Sequence, residues 1–202
     1  FRSLKSDAGI TSFTVPEQTE ETKIDGTEIT IKVPYGYKTD KVVPTFKLAD
    51  GILALTTSTN GYDEDVVTSG ETEIDLTSKV TLYAWTSKSV SVAVTVELDV
   101  PTQNPEGVLK TVKVGGSNEV TVSGNTISVE MPAGFDFGKD GPVAVTGTVS
   151  ENANVAVSAQ NIKVEKAADG KYTLSGVAVS GKTFVITVKS EDGKTTNNYT
   201  VN

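Results

Sequence analysis

This chain has no cysteine and no histidine among its 202 residues. The first absence excludes a disulfide framework and thiolate metal sites. The second removes the usual metal ligand and the usual general base, and with them every histidine-based catalytic triad. Absent cysteine does not set the compartment, because the small secreted scaffolds that need disulfides are mostly below about 80 residues. Apolar runs are short, and none approaches the roughly 18 to 20 residues of a membrane helix. The opening Phe1-Arg2-Ser3-Leu4-Lys5-Ser6 lacks the form of a signal peptide. Cations are outnumbered, 18 Lys and Arg against 26 Asp and Glu, for a formal net charge of −8. Nucleic acid is bound by clustered Lys and Arg that release counterions, so that class of partner is set aside. Acidity suits a solvated surface or the binding of cations.

Hydrophobic residues make up 37% of the chain. That is below the usual globular share of about 45 to 50%, a reference that also counts glycine. Such a composition suits thin sandwiches whose strands alternate apolar and polar residues, each sheet with one wet face.

What is present is a repeat. Ile24-Asp25-Gly26-Thr27-Glu28-Ile29-Thr30-Ile31-Lys32-Val33-Pro34-Tyr35-Gly36 lines up without gaps on Val122-Ser123-Gly124-Asn125-Thr126-Ile127-Ser128-Val129-Glu130-Met131-Pro132-Ala133-Gly134, an offset of 98 residues. Both copies read as a hairpin feeding a half-buried strand that stops at proline, which cannot donate to a ladder. Upstream of each copy lies a short alternating segment, Ile10 to Val15 in the first and Thr111 to Val114 in the second. Each copy also closes on paired strands: Val80 to Trp85 with Val90 to Val96, and Thr183 to Val188 with Asn198 to Val201. The second pair is joined through Asp192-Gly193, a strong hairpin signal. No segment carries a sustained 3.6-residue apolar stripe, so helices longer than a turn or two are not expected.

The reading is therefore all-β, two tandem immunoglobulin-like β-sandwich domains. Residues 1–7 are expected to form an N-terminal tether and 8–100 the first domain. Residues 101–107, with two prolines and a glycine, form a semi-stiff linker, and 108–202 form the second domain.

Three segments together carry a family resemblance. They are Ile10-Thr11-Ser12-Phe13, Ile29-Thr30-Ile31-Lys32-Val33-Pro34-Tyr35-Gly36, and Thr187-Val188-Lys189-Ser190-Glu191-Asp192-Gly193 with Tyr199-Thr200-Val201. The pattern resembles the tandem immunoglobulin-like repeats of exported Bacteroidetes surface lipoproteins, whose roles are unknown or assigned to cell adhesion. The resemblance implies an extracellular, cell-surface location, either outer membrane-anchored or periplasmic, and a lipid anchor outside this chain. The first unit departs from the pattern, since it lacks the Glu-Asp-Gly turn near Ser87.

Candidate chemistry is sparse. No nucleophile elbow, phosphate loop or calcium loop is present. Neither a catalytic residue, a metal ligand set nor a cofactor is expected, and the chain is read as not an enzyme. Only paired carboxylates could support hydrolysis, and the scattered acids give no cue for which two would face each other. Asn60-Gly61-Tyr62-Asp63-Glu64-Asp65 is the densest acidic cluster. It reads as a solvated loop, since calcium wants about six to eight oxygens.

Tyr83 and Trp85 are the candidate ligand-binding pair. If Val80, Leu82 and Ala84 face the core, both aromatics point outward as neighbours and could stack on sugar rings. If parity inverts or a bulge intervenes, Trp85 is instead the buried aromatic familiar in such sandwiches. Tyr35 and Tyr37, matched with Phe135 and Phe137, recur in both copies and read as packing residues. Asn198-Tyr199-Thr200 fits the glycosylation sequon but lies in an expected strand. The functional expectation is a non-catalytic adhesion or interaction module whose partner is a surface protein or glycan. The alternatives are a carbohydrate-binding module or a structural spacer presenting another domain.

Overall fold

The computed structural model describes residues 9–158, 163–167, 169–177 and 183–202. The tether expected at residues 1–7 lies outside them. The chain divides into two compact units, Phe1–Pro101 and Thr102–Asn202. Among the described residues there are sixteen strands and one short helix, as expected of segments rich in Val, Thr and Ile.

In the first unit, β1 (Ile10–Thr14) is followed by β2 (Lys23–Asp25), β3 (Glu28–Lys32), β4 (Thr45–Leu48), β5 (Ala54–Thr56), β6 (Val80–Ser87) and β7 (Val90–Asp99). β1 and β4 pair antiparallel as a two-stranded sheet, and the others form a sheet in the order β2-β3-β7-β6-β5. All neighbours in that sheet are antiparallel except β3 and β7. The strands bury alternate residues, so Ile29 and Ile31 face inward from β3, and Leu82 and Ala84 from β6. They meet Phe13 and Phe46, whose rings stack with centroids 5.8 Å apart. Truncating Leu82, which is fully buried, to alanine costs about 2 to 5 kcal/mol.

The second unit comprises β8 (Leu109–Val114), β9 (Val120–Thr121), β10 (Thr126–Ile127), α1 (Phe137–Asp140), β11 (Val143–Val149), β12 (Asn154–Val157), β13 (Lys163–Lys166), β14 (Lys171–Val177), β15 (Phe184–Lys189) and β16 (Thr196–Val201). Its sheets run β13-β14-β11-β8-β9 and β10-β16-β15-β12. They enclose a second core that includes Leu109, Val112, Val145, Leu174, Ile186 and Val188. The 98-residue repeat has a structural counterpart. Ile29 pairs in parallel with Val96 of the closing strand, and Ile127 pairs in parallel with Val201 of its own.

Two local features explain themselves physically. Gly147 of β11 lies between β8 and β14, and a Cβ there would sit 2.1 Å from the Thr111 carbonyl oxygen and 2.8 Å from the Tyr172 hydroxyl. Tyr172 crosses this gap and donates to the Thr111 carbonyl at 3.2 Å, an aromatic cover over a strand glycine. Asn104, in the stretch read as a linker, is buried. Its N–H donates to the Glu191 carboxylate at 2.8 Å and its Nδ2 to the Glu151 carbonyl at 3.0 Å, while Oδ1 accepts from the Glu106 N–H at 3.0 Å. Asn197 Nδ2 holds the Gly107 carbonyl at 2.8 Å. From Asn104 onward this stretch is therefore hydrogen-bonded into the second unit. Polar anchoring of that kind leaves no apolar period in the sequence.

Candidate binding site

The structure changes the reading of the aromatic pair. Tyr83 and Trp85 do lie on the face of β6 opposite Leu82 and Ala84, as parity requires, and Trp85 stands outside the core cluster. Trp85 is nevertheless only 5% exposed. Its indole N–H donates to Thr56 Oγ1 at 2.9 Å, and the fully buried Thr56 hydroxyl donates in turn to the Ser58 carbonyl at 2.6 Å. The segment from Thr57 to Asp65 follows. Thr57 and Asp65 are joined by a backbone bond of 3.0 Å, Ser58 Oγ donates to Asp65 at 2.7 Å, and Tyr62 meets Lys88 of the β6–β7 turn, Nζ 5.6 Å from its ring centroid. The expectation that Trp85 and Tyr83 form an exposed stacking pair is corrected. Tyr83 is half-buried, and the indole is enclosed with its one donor used. Alternation within a strand could not reveal this, because the indole's partner, Thr56, lies on a neighbouring strand 29 residues upstream.

Among the described residues, no group of three or more Asp or Glu side chains is arranged to hold a metal ion. The acidic loop is instead organised by its own turn bonds. The sequon's Tyr199 is buried, and its hydroxyl accepts the Leu109 N–H at 3.2 Å.

A groove of about 450 Å³ opens at the end of the first unit where β1 and β3 run out. Two turns build its walls. After β1, Val15-Pro16-Glu17-Gln18 closes with the Gln18 N–H on the Val15 carbonyl, and the Gln18 side-chain oxygen accepts the Val15 N–H at 2.9 Å. After β3, Pro34-Tyr35-Gly36-Tyr37 closes with the Tyr37 N–H on the Pro34 carbonyl at 3.2 Å. Each turn needs a left-handed third residue. Gly36 fills that place at φ 74, but in the other turn Glu17 does so at φ 58, a conformation costly for a residue with a Cβ. Val42 lies at the floor, bonded both ways to Ile74 at 2.9 and 2.8 Å.

The polar groups of the groove differ in character. Tyr37 is half-buried against the core. Its hydroxyl is pushed up from the ordinary phenol range, first by burial and then by the field of the Glu17 carboxylate, so it stays a neutral donor. Tyr35 is half-buried, while Glu17, Lys38 and Lys41 are exposed. Neither lysine has an acidic partner among the ion pairs of the described residues.

Comparing the units separates packing from site. In the second unit the Phe135 N–H closes on the Pro132 carbonyl at 3.1 Å around Gly134 at φ 85, so Tyr37 corresponds to Phe135 and Tyr35 to Ala133. The pairing of both tyrosines with Phe135 and Phe137 is thereby corrected. Recurrence marks Tyr37 as a packing residue, whereas Tyr35 is not duplicated. At the offsets of the repeat, Lys38 falls on Asp136, and the turn after β8 carries Gly115 and Gly116 where the first unit has Pro16 and Glu17. The signal for Tyr35, Lys38 and Glu17 was in the aligned sequences all along, as the positions where the two copies disagree.

No protein-family model and no curated protein matches this chain. Among solved structures it is similar to the crystal structure of a candidate glycoside hydrolase from Bacteroides thetaiotaomicron, at 18% identity and a TM-score of 0.38. The similarity covers 61% of this chain and 33% of that one, so this chain spans about a third of that protein's length. At that level the likeness carries no argument about function.

Proposed function

We propose that the chain is a non-catalytic interaction module of the cell exterior, built from two immunoglobulin-like sandwich domains like those of exported Bacteroidetes surface lipoproteins. In this reading it engages its partner through the groove at the end of the first unit. The groove carries the proposal: an open recess with preset walls, one carboxylate and two cations without ion-pair partners among the described residues, and a tyrosine where the second unit has Ala133. Electrostatics support a binding rather than a catalytic role. Among the described residues the carboxylates whose acidity shifts are Asp75, Glu165, Asp169 and Asp192, and all are pushed down. The leading causes are side-chain hydrogen bonds from Thr77, Lys163, Lys171 and Ser190 respectively. A carboxylate-based hydrolase needs a general acid pushed the other way.

The test is capture from cell-envelope extracts by the immobilised chain and by a Tyr35→Ala/Lys38→Ala variant. Capture by the parent that is lost in the variant supports the reading. Capture indifferent to the variant, or none by either, overturns the groove and favours a spacer that presents another domain.

A further inference from the structure

We propose that the groove on the first unit is a saccharide site, selective for sugars that carry a carboxylate or sulfate. This rests on the reading above that the groove is the binding surface.

The first argument is what the groove lacks. A protein partner of ordinary stability needs roughly 800 Å² of surface on each side with an apolar centre. Among the described residues the large exposed apolar side chains are Leu53, Val66, Val90, Val108 and Val164, and none of them lines this recess. Its volume falls instead in the range of small-molecule sites, about 300 to 1,000 Å³.

The second argument is what the groove holds. A pyranose presents a C–H face and a rim of hydroxyls. The half-exposed ring of Tyr35 suits the face. The rim needs donors and acceptors together, and the groove supplies a neutral Tyr37 hydroxyl within the field of the Glu17 carboxylate. That carboxylate sits on a residue in the left-handed region, at φ 58, where glycine would be unstrained. Backbone strain on a charged residue at the lip of a recess points to use of its side chain.

The third argument is charge. The chain as a whole is acidic, at −8, and repels anions. Within the groove Lys38 and Lys41 outnumber Glu17 and have no acid paired to them among the described residues. An anionic substituent placed near the lysines, with its ring on Tyr35, uses every unmatched group. The walls are set in advance by Pro16, Pro34 and the Val42–Ile74 pairing, so little ordering opposes binding.

The experiment is an amide chemical-shift titration of the full chain with three acidic saccharides, each beside an uncharged counterpart. The pairs are oligogalacturonate and its methyl ester, a heparin-derived oligosaccharide and its desulfated form, and sialyllactose and lactose. At least one acidic member should shift amides within residues 15–18 and 35–43. Its counterpart should bind about tenfold more weakly, the worth of two exposed ion contacts. Lys38→Ala/Lys41→Ala should abolish that preference. Tyr35→Ala should remove binding of both members, while Tyr35→Phe retains it, with amides elsewhere unmoved to show the fold intact. No response at these amides to any acidic saccharide, or equal affinity for the members of every pair, overturns the inference. Persistence of Tyr35-dependent capture from envelope extracts alongside failure of all saccharides keeps the groove and rejects the ligand class. Failure of both experiments rejects both.

Discussion

Thr56→Val isolates the interaction that encloses the only tryptophan. The substitution keeps volume and β-branching but removes the acceptor of the 2.9 Å bond from the indole and the donor to the Ser58 carbonyl. Thr56 is fully buried and Trp85 is 5% exposed, so the indole N–H finds no water in exchange. A buried donor stripped of its partner costs about 1 to 3 kcal/mol. The half-exposed Ser58 carbonyl can turn toward water and adds less, and the new methyl returns up to about 0.8 kcal/mol. The expected net loss is about 2 kcal/mol. Since Trp85 is the single tryptophan and lies in the first unit, its emission during urea unfolding reports that unit selectively. With a slope of about 1 to 2 kcal/mol per molar urea for a unit of this size, the midpoint should fall by about 1 to 2 M. Thr56→Ser, which keeps the oxygen, should recover most of the loss. A Thr56→Val midpoint within about 0.3 M of the parent, or native emission quenched by acrylamide as readily as unfolded emission, would refute the enclosure of Trp85 and restore it as a surface residue.

Three further outcomes test the second unit. Gly147→Ala drives a Cβ into the Thr111 carbonyl, which is backbone and cannot step aside; calorimetry should show a loss of at least about 2 to 3 kcal/mol, as for overpacking in a core. Asn104→Ala leaves the Glu151 carbonyl without its donor and the Glu106 N–H without its acceptor, and should cost about 1 to 3 kcal/mol. Faster hydrogen exchange at residues 104–108 should accompany it, whereas a free linker would show no change. Burial, aided by the Glu119 charge, holds the Tyr172 hydroxyl well above the usual phenol range. The unfolded chain releases that proton first, so the stabilisation is complete below about pH 10 and is lost as pH rises beyond it. Urea unfolding between pH 9 and 11 should therefore show stability falling in the parent and falling less in Tyr172→Phe.

Legibility varied with the range of the interaction. Alternation in Glu28–Lys32 and Phe184–Lys189 was readable because period-2 burial is a property of consecutive residues. The hairpin between β15 and β16 was readable for the same local reason. Its turn is held by Ser190, which donates to Asp192 at 2.6 Å and accepts the Thr195 N–H at 3.0 Å, with Gly193 at φ 73. The alternation through Ile127 to Met131 promised a longer strand than the two residues of β10. The connection between the paired strands Val80 to Trp85 and Val90 to Val96 is tight, with Ser87 paired directly to Val90 and a register shift after Trp85.

The site followed another logic. Local pattern placed Trp85 on the right face of its strand but could not report its burial or its bond to Thr56. It likewise read Asn104 to Gly107 as a linker, because hydrogen bonds to Glu191, Glu151 and Asn197 leave no periodicity.

What the amino-acid order determined by itself was the all-β character, the duplicated segments at an offset of 98 residues and most strand positions, since each depends on neighbours in the chain. Only the tertiary structure decided which aromatic side chain is enclosed and that the turns after β1 and β3 converge, bringing Glu17, Tyr35, Tyr37 and Lys41 to the lining of one recess. Exposure and convergence are set by residues distant in sequence, and no local period encodes them.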